Sequence, residues 1–274
     1  MVRSLWTGAA GMNAQQTNVD TIANNMANVN TVGYKAQGVQ FKSLLYQDLQ
    51  SPSTTANGDP KPTDSEVGLG VRVNAITNFF NQGALLANDS STAVAIQGEG
   101  MFAYHDQNGE MRYTRNGDFT WALGNAEGTE LVLTNAEGNP ILNTEGNEIR
   151  VGEGLIASRL SIAKDGGILY PDENDTPQPL GQTIGLWQFN NPGGLERIGN
   201  TAFAETEASG PALNEATNDA LVKSTIATGY LEGSGVNVAT EMVNLIVAQR
   251  AYEMNSTVIT TTDAMMQTAN QLKR

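Results

Sequence analysis

Several residue types are scarce in this chain, and each scarcity excludes a class of chemistry. The 274 residues contain no cysteine, which excludes disulfide bonds and thiolate catalysis. His105 is the single histidine, so multi-histidine metal centres are excluded. No run of about 18 apolar residues occurs, so no transmembrane helix is expected. The N-terminal segment lacks a continuous apolar stretch, so no cleavable secretory signal is expected either.

The familiar catalytic and nucleotide-binding motifs are also missing. Neither a G-x-x-x-x-G-K-[ST] phosphate loop nor a G-x-S-x-G nucleophile turn occurs. The carboxylates of DENDTP, 172–177, lack the glycine and glutamate that an EF-hand requires. No pair of carboxylates stands out for glycoside hydrolysis. We therefore predict no catalytic, cofactor-binding or metal-binding residue, and a protein that is not an enzyme.

The net charge of −14 is concentrated in the middle of the chain. Residues 51–235 contain nine basic and 24 acidic residues, whereas residues 1–50 carry +1 and residues 236–274 carry 0. An acidic surface repels nucleic acid and anionic lipid, so neither partner is expected. The nearly neutral ends are typical of segments that pack against protein.

Apolar residues near the N-terminus recur at alternating steps of four and three, the spacing of one helical face. This spacing predicts a helix over residues 4–29, with Ser4 as a candidate N-cap. The apolar face consists of Leu5, Ala9, Met12, Val19, Ala23 and Met26, with Gln16 as the polar exception.

The sequence NNMANVNTVGYK, Asn24 to Lys35, follows on this helix and is rich in asparagine. Asparagine is unfavourable inside helices because its amide competes for backbone groups. Asn28 and Asn30 suit a cap or turn, and Gly33 suits a positive φ or a close backbone approach. Asn24 and Asn25 lie earlier, where capping does not explain them, so we predict hydrogen bonds to neighbouring subunits. We expect Tyr34 to belong to the same inter-subunit motif.

A second helix is predicted over 237–272, with Asn237 as its N-cap. Two apolar stripes run along it, and they lie on nearly opposite sides. A helix with two apolar faces needs partners on two sides. The first stripe is Val238, Met242, Leu245, Gln249, Tyr252, Ser256 and Ile259; the second is Val247, Ala251, Met254, Val258, Thr261, Met265, Thr268 and Leu272.

Two interpretations of these helices are open: a core within one chain, or surfaces for assembly between copies. The two-faced pattern and the neutral charge of the ends favour coiled-coil or bundle packing between copies. We therefore predict that the apolar face of the first helix packs against other subunits. The predicted packing residues of the second helix are Met242, Leu245, Val247, Tyr252, Met254, Val258, Ile259 and Met265.

The middle of the chain has the period of two that is typical of strands. VGLGVRVNA alternates from Val67 to Ala75, TIGLWQF at 183–189 is another strand candidate, and Asn108-Gly109 predicts a hairpin turn. Repeated turns such as NAEGN predict an all-β domain. The fold class is thus α+β. It has paired, coiled-coil-like terminal helices (1–46 and 226–274), an extended arm (47–66) and an inserted all-β domain (67–225).

Both ends of the chain resemble a known family, the bacterial flagellar rod and hook proteins. Residues 1–37 carry an ANNxANxxTxGYK-type motif in NVDTIANNMANVNTVGYKAQ. Residues 229–267 carry an NVxxEMVxLIxxQRAYExNxxxI pattern, and VAIQGEGMFAY and YTRNGDF resemble the start of the family's β-domain. The length and the opening are most similar to distal rod members; a proximal rod or hook subunit is the alternative.

This resemblance implies a structural subunit that polymerises into a helical tube. The tube would transmit motor torque to the hook and form the wall of an export channel. It implies partners as well: other copies of the chain, proximal rod proteins, hook protein, bushing ring proteins and the flagellar type III export apparatus. The implied location is the rod that spans the periplasm, and no cofactor is implied. A wall-cutting enzyme is the remote alternative.

Overall fold

The computed structural model has an α+β fold, with one long helix at each end and a sheet-rich middle. It describes residues 2–50, 65–124, 130–152, 155–172, 176–199, 201–218 and 220–272. The chain divides into two compact units. Unit 1 contains Met1–Ala27, Gln37–Thr77 and Asn237–Arg274, and unit 2 contains Asn28–Ala36 and Asn78–Val236.

Unit 1 is built on two antiparallel helices, α1 (Val2–Ala27) and α2 (Val238–Gln271). The ends of both differ from the predicted ends by no more than two residues, within the ordinary uncertainty of helix boundaries. Asn237 caps α2, because its side chain accepts a hydrogen bond from the backbone N–H of Thr240 at 3.2 Å.

Small and polar residues line the contact between α1 and α2. A Cβ added to Gly8 would lie 3.0 Å from Ile259 Cγ1, and one added to Gly11 would lie 2.8 Å from Asn255 Nδ2. The hydroxyl groups of Ser4 and Thr262 are 3.3 Å apart. The absence of a side chain on each glycine lets the two backbones approach closely.

Two pairs of strands complete unit 1. Strand β1 (Gln37–Ser43) pairs with β4 (Val71–Asn78), and β2 (Tyr46–Gln50) pairs antiparallel with β3 (Ser65–Gly68). The alternation from Val67 to Ala75 therefore belongs to two strands rather than one. The break is at Gly70, whose φ of 115° is unfavourable for residues with a side chain. Most of the predicted arm, 51–64, lies outside the described residues, and its two ends are paired strands.

Unit 2 is a set of antiparallel sheets, the largest with the strand order β16-β17-β8-β7-β15-β18. Smaller sheets have the orders β11-β10-β9, β12-β13-β14, β19-β6 and β20-β5. The strands are β5 (Leu85–Ala87), β6 (Val94–Gln97), β7 (Met101–His105), β8 (Met111–Thr114), β9 (Phe119–Leu123), β10 (Leu131–Asn135), β11 (Arg150–Val151), β12 (Ser161–Ile162), β13 (Gly167–Pro171), β14 (Pro177–Thr183), β15 (Leu186–Gln188), β16 (Glu196–Gly199), β17 (Ala202–Ala204), β18 (Leu213–Asn214), β19 (Thr225–Thr228) and β20 (Tyr230–Glu232).

Aromatic side chains pack inside unit 2. Phe102 and Phe119 meet edge to face with ring centroids 5.0 Å apart, and Tyr113 meets Phe189 in the same way at 4.8 Å. Tyr104 is also buried. These rings anchor an apolar core of the kind that stabilises a sheet domain without help from another chain.

The predicted turns explain the repeated asparagines of unit 2. The side chains of Asn135 and Asn143 each accept hydrogen bonds from the backbone N–H groups two and four residues later, at 2.9–3.0 Å. Gly138 and Gly146 take φ values of 86° and 84°. The turn that begins at Asn125 lies outside the described residues. The hairpin of β7 and β8 forms around Asn108-Gly109, as predicted.

One detail differs from the expectations. Strands β19 and β20 lie in unit 2, although the sequence placed residues from 226 onward with the C-terminal helix. His105 is half-buried at the end of β7. Among the described residues, no helix is both long and apolar enough to cross a membrane.

Candidate assembly surfaces

The asparagine-rich segment divides between the two units. Its first part, up to Ala27, ends α1 in unit 1, and its second part, Asn28–Ala36, belongs to unit 2. The end of α1 is followed by a turn in which the backbone N–H of Thr31 donates to the carbonyl of Asn28 at 3.2 Å. Thr31 Oγ1 also donates to Asn28 Oδ1 at 3.1 Å. Asn28 thus has the turn role that its side chain suits.

Asn25 is a buried clamp within the chain, which corrects the predicted bond to a neighbouring subunit. Its Nδ2 donates to the carbonyl of Gln37 at 2.8 Å, and its Oδ1 accepts from the N–H of Gln37 at 2.9 Å. Nδ2 also lies 3.5 Å from a carboxylate oxygen of Glu241 in α2. The amide therefore imitates a strand partner for Gln37, at the start of β1. Only 1% of Asn25 is exposed, so its amide is not available to another copy.

Asn24 differs from Asn25 in its exposure. Its side chain lies on the surface and donates to the Gln37 side chain at 3.2 Å. Asn30 is exposed as well. For both residues, contact with a neighbouring subunit stays a prediction.

Gly33 and Tyr34 are buried in unit 2. Gly33 has the expected positive φ, 68°, and a Cβ at this position would lie 2.6 Å from the backbone nitrogen of Asn116. The guanidinium of Arg197 lies over the ring of Tyr34, 4.5 Å from its centroid. Tyr34 is 3% exposed, so the predicted inter-subunit role of its ring is replaced by packing within unit 2.

Lys35 ends the segment in a buried cluster of three charges. Its Nζ donates to Glu232 Oε1 at 2.7 Å and to the carbonyl of Asn81 at 2.9 Å. Arg115 Nη1 donates to the other carboxylate oxygen of Glu232 at 3.2 Å. The three charged side chains are 0–2% exposed. The segment that leaves α1 is thus fastened inside unit 2 by an ion triad.

The triad contains two cations and one anion, and burial disfavours the charged form of each cation. Burial lowers the pKa of Lys35, and the carboxylate of Glu232 partly offsets this effect. Burial likewise lowers the pKa of Arg115. Carbonyl oxygens of Ile96 and Gly98 accept further hydrogen bonds from Arg115. Sequence reasoning missed this cluster, because nothing local links Lys35 to Glu232, which lies nearly 200 residues later in the chain.

The predicted face of α1 is not the face that α1 buries. The residues buried on α1 include Gly8, Gly11, Ala14, Ile22 and Asn25. The predicted face remains accessible: Ala23 is exposed, and the half-buried members are Leu5, Ala9, Met12, Val19 and Met26. A pattern of apolar residues alone did not identify the contact with α2, which depends on glycines and polar side chains.

On α2, the residues covered by α1 lie between the two predicted stripes. Ala248 and Thr262 are buried, and Asn255 between them is half-buried. Leu245 and Ile259, predicted for contacts between subunits, are half-buried at the edge of this line. The other predicted packing residues are exposed, with exposures from 39% to 63%: Met242, Val247, Tyr252, Met254, Val258 and Met265. Exposed apolar side chains in a row are typical of interaction surfaces, and the predicted contacts of these residues with other subunits stay a prediction.

Among the described residues, no group of three or more His, Cys, Asp or Glu side chains could hold a metal ion.

Three family models match the chain along its length. The flagella basal body rod protein model matches residues 5–35, the flagellar hook protein FlgE/F/G D1 domain matches 95–170, and the flagellar basal body rod FlgEFG protein C-terminal model matches 227–272.

Curated relatives match from end to end. The flagellar basal-body rod protein FlgG of Borreliella burgdorferi is 39% identical over 276 aligned residues, covering 100% of both chains. The chain belongs to the FlgG family of flagellar basal-body rod proteins. FlgG of Bacillus subtilis is 35% identical, again over 100% of both chains. The flagellar hook-basal body complex protein FlhP of the same bacterium is 28% identical over the same extent. Members of the FlgG family are structural proteins rather than enzymes.

Proposed function

We propose that the protein is a distal rod subunit that polymerises into a helical tube through its terminal helices. The observation that carries this proposal is the row of exposed apolar side chains on α2, typified by Met254 at 63% and Met265 at 54% exposure. Burial of such exposed apolar area would stabilise a contact by about 25 cal/mol for each Å² removed from water.

The tube would transmit torque because its subunits pack in two directions at once. Within a copy, α1 occupies the line between the two stripes of α2. Each stripe is then free to pack against a different neighbour, as in a coiled coil. Dense side-chain packing resists deformation, which is the mechanical requirement of a drive shaft. The channel enclosed by such a tube would serve export of later components.

The distal position in the rod is also a proposal, supported by the full-length similarity to FlgG proteins. Its neighbours would be proximal rod proteins on one side and hook protein on the other, inside bushing rings, after delivery through the type III apparatus. A strain without the gene should retain a short proximal rod and lack the hook. A complete rod with a hook in such a strain would contradict the distal position.

Val258→Asp tests the assembly surface most sharply, since Val258 is exposed and lies in the second stripe. Burying an unpaired carboxylate in a helix interface is costly, so rods should be absent while the monomer keeps its melting temperature. Thr257→Asp is the matched control, because Thr257 is exposed on the same turn and lies between the two stripes, on the side of α2 away from α1. Leu245→Asp is less informative, because Leu245 is half-buried beside α1. Normal rods assembled from the Val258→Asp protein would contradict the proposal.

A further inference from the structure

Two pairs of like charges lie on the strands of unit 1. Lys42 in β1 and Arg72 in β4 are exposed and line one concavity of about 510 Å³, together with Leu44, Leu45 and Tyr46. We call Lys42 and Arg72 the basic pair.

The second pair is acidic and lies in the neighbouring ladder. Asp48 in β2 lies directly opposite Glu66 in β3, and both side chains are exposed. We call them the acidic pair. Within the part of the chain that the structure describes, no member of either pair makes an ion pair.

Both arrangements are unfavourable in an isolated copy. Like charges directly opposite each other in an antiparallel ladder destabilise it, because the two side chains are close neighbours on one face. Two cations that line one concavity repel each other for the same reason. Each pair would become favourable on facing the other, because the two pairs are complementary in number and sign.

The same strands also expose large apolar side chains. Leu45 is 84% exposed and Tyr46 is 62% exposed, and both lie between Lys42 and Asp48 along the chain. Phe41, Leu49 and Leu69 are exposed as well. An apolar surface flanked by charges is typical of a protein–protein contact.

We infer that the basic pair of one copy receives the acidic pair of the next copy, head to tail, with the apolar side chains packed between them. The inference rests on the proposed function, since a polymer needs a contact that repeats from copy to copy. A second copy is a more favourable partner than another acidic surface, because the contact between copies stabilises both the basic pair and the acidic pair. Several carboxylates of unit 2 already have a partner: Glu148 and Glu130 flank Arg150, and Glu110 meets Arg112.

The contact is weak in a single pair of copies and strong in a polymer. An exposed ion pair contributes about 0–1 kcal/mol, and salt screens it over about 8–10 Å. Repetition along a tube adds these contributions, and burial of Leu45 and Tyr46 adds to them.

Charge reversal tests the inference in a strain that lacks the native gene, with rods in isolated basal bodies counted by electron microscopy. The double variant Lys42→Glu/Arg72→Glu should lose rods, and so should Asp48→Lys/Glu66→Lys. The fourfold variant that combines all these changes should regain them, because the signs are exchanged but still complementary. Co-expression of the two double variants should also restore rods. Asp89→Lys/Glu145→Lys is the control for a change of four charge units at exposed sites of unit 2, and it should leave assembly unchanged.

The results separate this inference from the proposed function. If both double variants build normal rods, the inference is overturned while the proposed function stands. If the fourfold variant is exported and folded by circular dichroism but builds no rods, the inference is overturned too. Absence of the wild-type protein from isolated rods would instead overturn the proposed function.

A cross-linking measurement reports the contact directly, since the chain has no cysteine of its own. A protein with Lys42→Cys and Asp48→Cys together, assembled and treated with an added oxidant, should give a ladder of disulfide-linked species beyond the dimer. Each single substitution should give no ladder. Dimers alone, or bonds within one chain alone, would overturn the head-to-tail contact.

Discussion

The two units of this molecule distribute charge and apolar surface in opposite ways. Unit 1 contains seven basic and eight acidic residues, a net charge of −1, whereas unit 2 contains eight basic and 21 acidic residues, a net charge of −13. Unit 2 places its large apolar side chains in a core, whereas α2 of unit 1 leaves many of them exposed. The acidic unit buries its apolar side chains within one copy, whereas we propose that other copies cover those of the neutral unit.

The two units are therefore stabilised by different interactions. Unit 2 has an aromatic and aliphatic core and a buried ion triad. Unit 1 holds α1 to α2 through glycines and polar groups, because its best apolar residues face outward. Apolar surface that the monomer does not bury remains available to stabilise the polymer.

The largest expected change in stability comes from the triad of unit 2. Glu232→Gln removes the anion and leaves Lys35 and Arg115 buried together, which should cost about 3–5 kcal/mol in unfolding free energy. Chemical denaturation followed by tryptophan fluorescence would measure it. The control is Glu148→Gln, which removes a half-buried partner of the exposed Arg150 and should cost less than about 1 kcal/mol. Equal effects of the two substitutions would contradict the claim that the buried triad stabilises unit 2 more than a surface ion pair does.

A second prediction concerns alkaline pH and also belongs to unit 2. Burial raises the pKa of Tyr104 and of Tyr113 to about 12 from an ordinary value of 10.0. The stability that each neutral tyrosine contributes is present below pH 10 and is lost as the pH rises through about 12. Between these values each should account for a loss of about 2–3 kcal/mol in unfolding free energy.

Tyr113→Phe isolates this effect, because the difference between variant and wild type cancels the titration of Lys35, whose pKa burial lowers. Unfolding titrations at pH 9 and 11.5 should show a smaller loss in the variant. The same loss in both proteins would exclude Tyr113 as its source.

A smaller effect is expected in unit 1, at the asparagine clamp. Asn25→Ala leaves the backbone groups of Gln37 without their buried partner, and this should cost about 1–3 kcal/mol. Asn24→Ala removes an exposed hydrogen bond and should change stability by less than about 0.5 kcal/mol. Rods assembled from the Asn24→Ala protein would decide whether its amide contacts a neighbouring copy. A stability loss as large for Asn24→Ala as for Asn25→Ala would remove the distinction between them.

The sequence predicted those features that depend on local patterns. Both helices, the Asn237 cap, the hairpin at Asn108-Gly109 and the glycine turns follow from residue spacing and turn chemistry. Each of these rests on interactions within a few residues, or on a period that one strand or helix imposes.

The features that the sequence did not predict depend on contacts between distant residues. Gly8 and Gly11 lie where α1 meets α2, whereas the apolar periodicity predicted a face for contacts with other subunits and did not indicate the contact with α2. Their spacing of three was the available indication, since small residues on one face permit close helix packing. The Lys35–Glu232 contact had no such indication. The break at Gly70, between β3 and β4, shows that an alternating sequence pattern can extend over two separate strands.

The central claim, that assembly covers the exposed stripes of unit 1 and leaves unit 2 as it is, can be tested by methionine oxidation. Purified monomer and isolated rods would be treated briefly with peroxide, and sulfoxide at each methionine would be quantified by mass spectrometry. Met254 and Met265 are exposed in the monomer, as is Met111 in unit 2, whereas Met101 is 2% exposed. We expect Met254 and Met265 to become protected from oxidation in rods, while Met111 stays reactive and Met101 stays unreactive. Equal oxidation of Met254 and Met265 in monomer and rods would contradict it.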